Sequence, residues 1–121
     1  MLFICYPKCT TCQKAKKYLD ERSVTYVQRD IKLENPTRDE LMRWQHKSGL
    51  PLRKFFNTSG LQYRALALKD RLPAMSEEEM LDLLASDGML VKRPLLVLDN
   101  QTLVGFREKE WGAALESANQ V

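Results

Sequence analysis

Within its first 28 residues the chain passes from an apolar run into a cysteine pair, an amphipathic helix and a second β-rich stretch, and this order limits the folds open to it. Leu2-Phe3-Ile4-Cys5, ended by Tyr6-Pro7, reads as a buried strand. From Thr10 to about Glu21 the spacing turns helical: Cys12, Ala15 and Leu19 recur at three- and four-residue steps, with Lys14, Lys16 and Lys17 off that line. Val24 to Gln28 is short and rich in β-branched and aromatic residues, so it predicts a second strand. Strand, helix and strand in so short a span form a βαβ unit, whose second strand should run parallel to the first.

Two capping boxes organise the middle of the chain. Thr37 with Glu40, and Ser76 with Glu79, each place a hydroxyl three residues before a glutamate at a helix start. The first helix should end at Gly49, with Leu41 and Trp44 inward; the second runs to about Ser86 and is stopped by Asp87-Gly88. Leu50 to Leu72 has no clear period: Phe55-Phe56 read as core and Asn57-Thr58-Ser59-Gly60 as a turn cluster. Beyond Pro94, Leu95-Leu96-Val97-Leu98 is a buried strand and Asp99-Asn100 a tight turn. Thr102 to Phe106 returns antiparallel, and a last helix from about Glu108 to Ser117 turns Trp111, Ala114 and Leu115 inward. The predicted architecture is α/β: a four-stranded mixed sheet flanked by helices, in one domain over 1–121, with a helical insertion at about 31–88 between the second and third strands.

Composition narrows the function. A chain of 121 residues suits one core, and 44% hydrophobic with 29% charged residues is an ordinary globular balance. The net charge of +3 comes without a basic cluster interleaved with aromatics, which argues against a nucleic-acid platform and suits small anions better. No secretory leader is recognisable and no apolar run approaches the roughly 18 residues of a membrane span. The expectation is therefore a cytoplasmic monomer that contacts neither membrane nor nucleic acid directly. Three cysteines, two of them close together, suggest thiol chemistry rather than a disulfide framework.

Cys9-Thr10-Thr11-Cys12 sits where the first strand gives way to the first helix. Unpaired N–H groups and about half a positive charge at a helix start favour a thiolate at Cys9, and Lys8 adds a neighbouring cation. Cys12, three residues on, shares a face with Cys9 yet lies on the inward line. That gives an attacking thiolate near solvent with a resolving thiol behind it. The plainer alternative makes Cys12 a core residue and Cys9 an idle surface thiol. Zinc held by Cys5, Cys9, Cys12 and His46 lacks a second paired element, and no metal is expected. Cys5 reads as a buried strand residue and His46 as a surface residue of its helix. Arg93-Pro94 leads the third strand; a cis bond there would bring Arg93 near Cys9, where its guanidinium could lower the thiol pKa and grip an oxyanion. Arg53 and Arg107 alone would be read as surface charges.

Together these residues resemble the ArsC/Spx family of thioredoxin-like proteins over nearly the whole chain. The resemblance rests on Tyr6-Pro7-Lys8-Cys9-Thr10-Thr11-Cys12, on the helical insertion between Asp30 and Gly88, on Lys92-Arg93-Pro94-Leu95-Leu96-Val97 and on Val104-Gly105-Phe106 before the last helix. It implies a thioredoxin-like fold and a thiol-dependent reductase of arsenate reductase-like type, with Cys9 as nucleophile and Arg93 as the arginine of the R-P motif. Arg53 and Arg107 fall near the other two family arginines. Lys8, Thr10, Thr11 and Pro94 complete the expected substrate-binding set. Glutathione, glutaredoxin or thioredoxin would then restore the thiols, with no bound cofactor. Cys12 departs from the pattern of ArsC reductases and matches Spx-type regulators. The resemblance therefore implies an alternative: a redox switch whose surface around Gly49 to Gly60 binds the C-terminal domain of the RNA polymerase α subunit.

Overall fold

The computed structural model describes residues 1–119. Its strands are β1 (Leu2–Cys5), β2 (Val27–Asp30), β3 (Leu95–Val97) and β4 (Thr102–Val104). Its helices are α1 (Thr10–Glu21), α2 (Arg38–Ser48), α3 (Leu61–Ala65), α4 (Leu68–Arg71), α5 (Glu77–Ser86) and α6 (Glu108–Asn119). Short 3-10 turns occupy Leu52–Phe55, Leu72–Ala74 and Gly88–Leu90. The sheet order is β2-β1-β3-β4. β1 pairs parallel with β2, Leu2 opposite Val27, and antiparallel with β3, Leu2 opposite Val97. β3 and β4 form an antiparallel hairpin. This is the thioredoxin-like arrangement, with α2 to α5 lying between β2 and β3 in the chain.

The period-2 alternation of the strands sorts two cores onto the two sheet faces. Phe3, Cys5, Leu96, Leu98 and Leu103 face α1 and α6, packing with Cys12, Ala15, Leu19 and Trp111. Ile4, Leu95 and Val97 face the insertion and meet Leu41, Trp44, Phe55, Phe56 and Leu84. Trp111 is fully buried and its indole Nε1 donates to the Gly105 carbonyl at 3.0 Å, tying α6 to the loop after β4. Truncating such an aromatic costs about 3–5 kcal/mol.

Both capping boxes form as the sequence predicts. Glu40 does more than cap: its carboxylate also takes the Arg29 guanidinium from β2 at 2.6 Å. The hydrogen bond from Arg29 holds the Glu40 carboxyl down to about 2. The second strand differs from the expected Val24–Gln28. Val24 and Tyr26 pack against the core without joining the ladder, which starts at Val27 and takes in Arg29 and Asp30. β-Branched and aromatic composition reported burial there, not pairing. The fourth strand stops at Val104 because Gly105 turns out at φ +78°. Gly88 is required by close approach, since a Cβ there would sit 1.8 Å from the Ile31 carbonyl oxygen.

Candidate functional site

Tyr6 to Cys9 turn the chain from β1 into α1. The Cys9 N–H donates to the Tyr6 carbonyl at 2.9 Å, and the Gln13 side chain donates to the Pro7 carbonyl at 3.0 Å, so the turn is held from both sides. Cys9 is the N-cap of α1, with extended backbone at φ −83° and ψ 125°. Its thiol closes no cap hydrogen bond of strict geometry, yet the N–H groups of the first turn lie near enough to act on it. Partial burial pushes the Cys9 thiol up. The Cys12 backbone N–H, the Arg93 guanidinium, the Cys12 thiol and the Thr11 N–H outweigh it and leave the pKa lowered.

Cys12, one turn in, is only 2% exposed. Burial pushes its thiol up to about 12, against the Tyr6 N–H that donates to its sulfur at 3.4 Å, and the nearby Cys9 sulfur adds to the rise. Cys5 is buried too and also raised, chiefly by desolvation, with the Gln28 amide at 3.5 Å acting the other way. All three cysteines are free thiols. Two sulfurs three residues apart thus have opposite character: one favoured as an anion at a cavity wall, the other held protonated behind it.

The Arg93–Pro94 peptide is cis, and Arg93 lies beside Cys9. Its guanidinium carbon is 5.2 Å from the Tyr6 ring centroid. Its Nε and Nη1 are buried with no hydrogen-bond partner in the protein. Buried donors without acceptors are costly, so this guanidinium suits an anion delivered from outside. Pro94 is buried, and its carbonyl accepts from Gly105 N–H at 2.8 Å, which sets the loop after β4 beside Arg93.

Cys9, Thr11, Arg93 and Arg107 share one cavity of about 650 Å³. Asn57 to Gln62 form one wall, with Lys92 and the Val104–Phe106 loop on another. Three cations line the cavity and no Asp or Glu does. Sequence reasoning set Asn57 to Gly60 on a surface expected to bind a partner rather than beside Cys9, and did not single out Leu61, Gln62 or Lys92 as lining the cavity. Backbone bonds from Asn57 N to the Leu90 carbonyl (2.8 Å) and from Lys92 N to the Phe55 carbonyl (2.7 Å) bring those segments to Arg93. Only an unpatterned turn cluster signalled them.

The remaining expected residues divide. Lys8 and Thr10 are exposed and do not line the cavity. Arg53 does not reach it either: the 3-10 turn Leu52–Phe55 buries Leu52 and Phe55 and turns Arg53 toward a second cavity. The fold thus brings Arg107 to Cys9 and leaves Arg53 apart. His46 lines another groove on α2 with Leu2, Arg43 and Lys47.

Residues 5–114 match the family model described as "ArsC family". The chain belongs to the ArsC family. It is 50% identical to the uncharacterized protein YusI of Bacillus subtilis strain 168, over 92% of this chain and 94% of that protein. It is 31% identical to the global transcriptional regulator Spx of Staphylococcus aureus, over 86% of this chain and 78% of Spx. An ArsC family-related protein of Bacteroides fragilis superposes with a TM-score of 0.91 at 54% identity, over 93% of this chain and 94% of that one. A protein of Streptococcus mutans UA159 named a possible arsenate reductase gives 0.83 at 47% identity, over 92% and 96%.

Among the described residues, no helix of this ArsC family member is long and apolar enough to cross a membrane. Its cavity offers a soft nucleophile, a guanidinium with free buried donors and two further cations, Lys92 and Arg107. That set can hold an anion against a sulfur and accept charge that develops there.

Proposed function

We propose that the protein is a thiol-dependent reductase in which Cys9 thiolate attacks the substrate and Cys12 resolves the adduct. The observation that carries this reading is the split between the two thiols, Cys9 lowered beside Arg93 and Cys12 held protonated near 12. With an arsenate-like oxyanion, the Cys9 sulfur bonds to As(V) and water leaves. Cys12 then attacks the Cys9 sulfur, and its proton passes to solvent or to an oxygen of the arsenite as it leaves. The S–As bond breaks with its electron pair on arsenic, so arsenite departs and a Cys9–Cys12 disulfide remains. With a disulfide substrate, the first step forms a mixed disulfide and expels one thiolate; the second expels the other. Glutathione, glutaredoxin or thioredoxin would supply the two electrons that restore the thiols. Consuming the Cys9 anion also removes part of what holds the Cys12 proton, so the resolving thiol ionises more readily once the adduct forms.

Arg93 is the anion clamp in this scheme, with Arg107 and Lys92 at the wall. The protein would act as a monomer in a reducing compartment. The direct test is mass spectrometry of Cys12→Ser after substrate addition: about one covalent equivalent on Cys9 is expected, and none would sink the scheme.

Cys12 and the similarity to Spx support a second reading, a redox switch that binds the RNA polymerase α C-terminal domain. Its test is an NMR titration of that domain with reduced and oxidised protein. Redox-dependent binding without turnover of arsenate or disulfides would favour the switch.

A further inference from the structure

The second cavity, about 470 Å³, abuts the first: Thr58 lines both. Arg53, Lys54 and Lys69 stand around it, and Tyr63, Leu72, Pro73, Met75 and Met80 give it an apolar lining. No Asp or Glu lines either cavity, although the whole chain carries 16 acidic residues against 19 basic ones. The modest net charge therefore hides a tract whose charged lining is all cationic, from Lys92, Arg93 and Arg107 past Thr58 to Arg53, Lys54 and Lys69, with exposed Asp70 and Glu77 to Glu79 close in sequence to its far end but outside the lining. Between the two cavities stands α3, which buries none of its own residues; its Leu61 is 84% exposed at the rim of the first cavity, and its Tyr63 lines the second. An exposed leucine set among cations, beside a methionine-bearing hollow, is an amphipathic surface suited to a polypeptide.

We propose that this tract docks an acidic, partly apolar segment of a protein partner and delivers that partner's disulfide to Cys9. The inference rests on the reductase reading for the delivery step but not for the docking. Like charge along the tract attracts an acidic chain and repels a basic one. The apolar lining and Leu61 take up leucine-type side chains, and the continuity at Thr58 lets one segment occupy both cavities. An oxyanion uses only the Cys9 end, so the second cavity has no part in small-anion chemistry. In the delivery step Cys9 thiolate attacks one partner sulfur, the partner's other sulfur leaves as thiolate, and Cys12 releases the first by forming the Cys9–Cys12 disulfide.

The test uses two synthetic peptides with a central disulfide, one flanked by Glu and Leu and the other by Lys and Leu, with uncharged hydroxyethyl disulfide as the small substrate. Wild type should reduce the acidic peptide with kcat/KM at least about tenfold above the basic one at low salt. Added salt should erase the gap. Lys54→Glu with Lys69→Glu should remove most of that preference and leave hydroxyethyl disulfide turnover unchanged. In parallel, fluorescence anisotropy with Cys9→Ser, Cys12→Ser protein measures docking without chemistry. Acidic peptide binding lost on adding the two Glu substitutions supports docking even if no disulfide is turned over; that failure would overturn the delivery step, and turnover of neither arsenate nor any disulfide would defeat the reductase reading. Peptide binding unchanged by those substitutions, or tighter binding of a single-stranded oligonucleotide than of the acidic peptide, would overturn the proposal.

Discussion

The cavity mouth and the inward face of α1 shift chemically identical groups in opposite directions. Cys9 caps α1 beside Arg93 and is favoured as thiolate, while Cys12, three residues later on the same helix, lies under the sheet and keeps its proton to about 12. Neither difference comes from the cysteine itself. At Cys9, first-turn N–H groups and a guanidinium outweigh partial burial; at Cys12, burial outweighs the single Tyr6 N–H. A helix start thus separates two thiols within one turn, because side chains there pass abruptly from field-exposed to desolvated positions.

The sharpest way to break the comparison is to remove one thiol at a time. Cys9→Ser should drop turnover on the order of 10⁴-fold or more, in a coupled assay with arsenate or a disulfide substrate. Comparable turnover in Cys9→Ser would falsify the assignment of roles. Next comes the guanidinium. Arg93→Ala should cost about 100-fold in kcat/KM, as loss of one preorganised donor set does. An Arg93→Lys variant should recover only part of that loss, since a point charge does not replace a fork of donors. The smallest effects separate the remaining two arginines. Arg107→Ala should cost about tenfold, or about 1.4 kcal/mol, mainly in KM for an anionic substrate. Arg53→Ala should change arsenate kinetics by no more than about twofold, because a surface charge in a neighbouring cavity acts weakly through solvent. Equal losses at Arg53 and Arg107 would contradict the separation of the two cavities.

Much of this was legible in the sequence where local chemistry and tertiary packing agree. The first strand, the cysteine turn, α1, both capping boxes and the final hairpin are each signalled by spacing within a few residues. The second strand was displaced because its pairing is decided by β1 and by an ion pair reaching from Arg29 to Glu40, neither visible in a local window. The cavity wall from Asn57 to Gln62 was hidden for a similar reason. Two backbone bonds across to Leu90 and Lys92 put it in place, and turn residues carry no period that announces such bonds. Arg53 was expected near Cys9 only because the family resemblance set it close to a second arginine of the site; the 3-10 turn buries Leu52 and Phe55 and sends Arg53 to the neighbouring cavity.

The asymmetry of the two sulfurs is most directly tested by the pH dependence of alkylation in the Cys12→Ser protein, with and without Arg93→Ala. A lowered thiol pKa means that Cys9 stays reactive as the pH falls below the ordinary thiol value of about 8.5. Its rate should decline only through a lower range, and loss of the guanidinium should move that decline upward. A Cys9 that titrates at the ordinary value in both proteins would contradict the account.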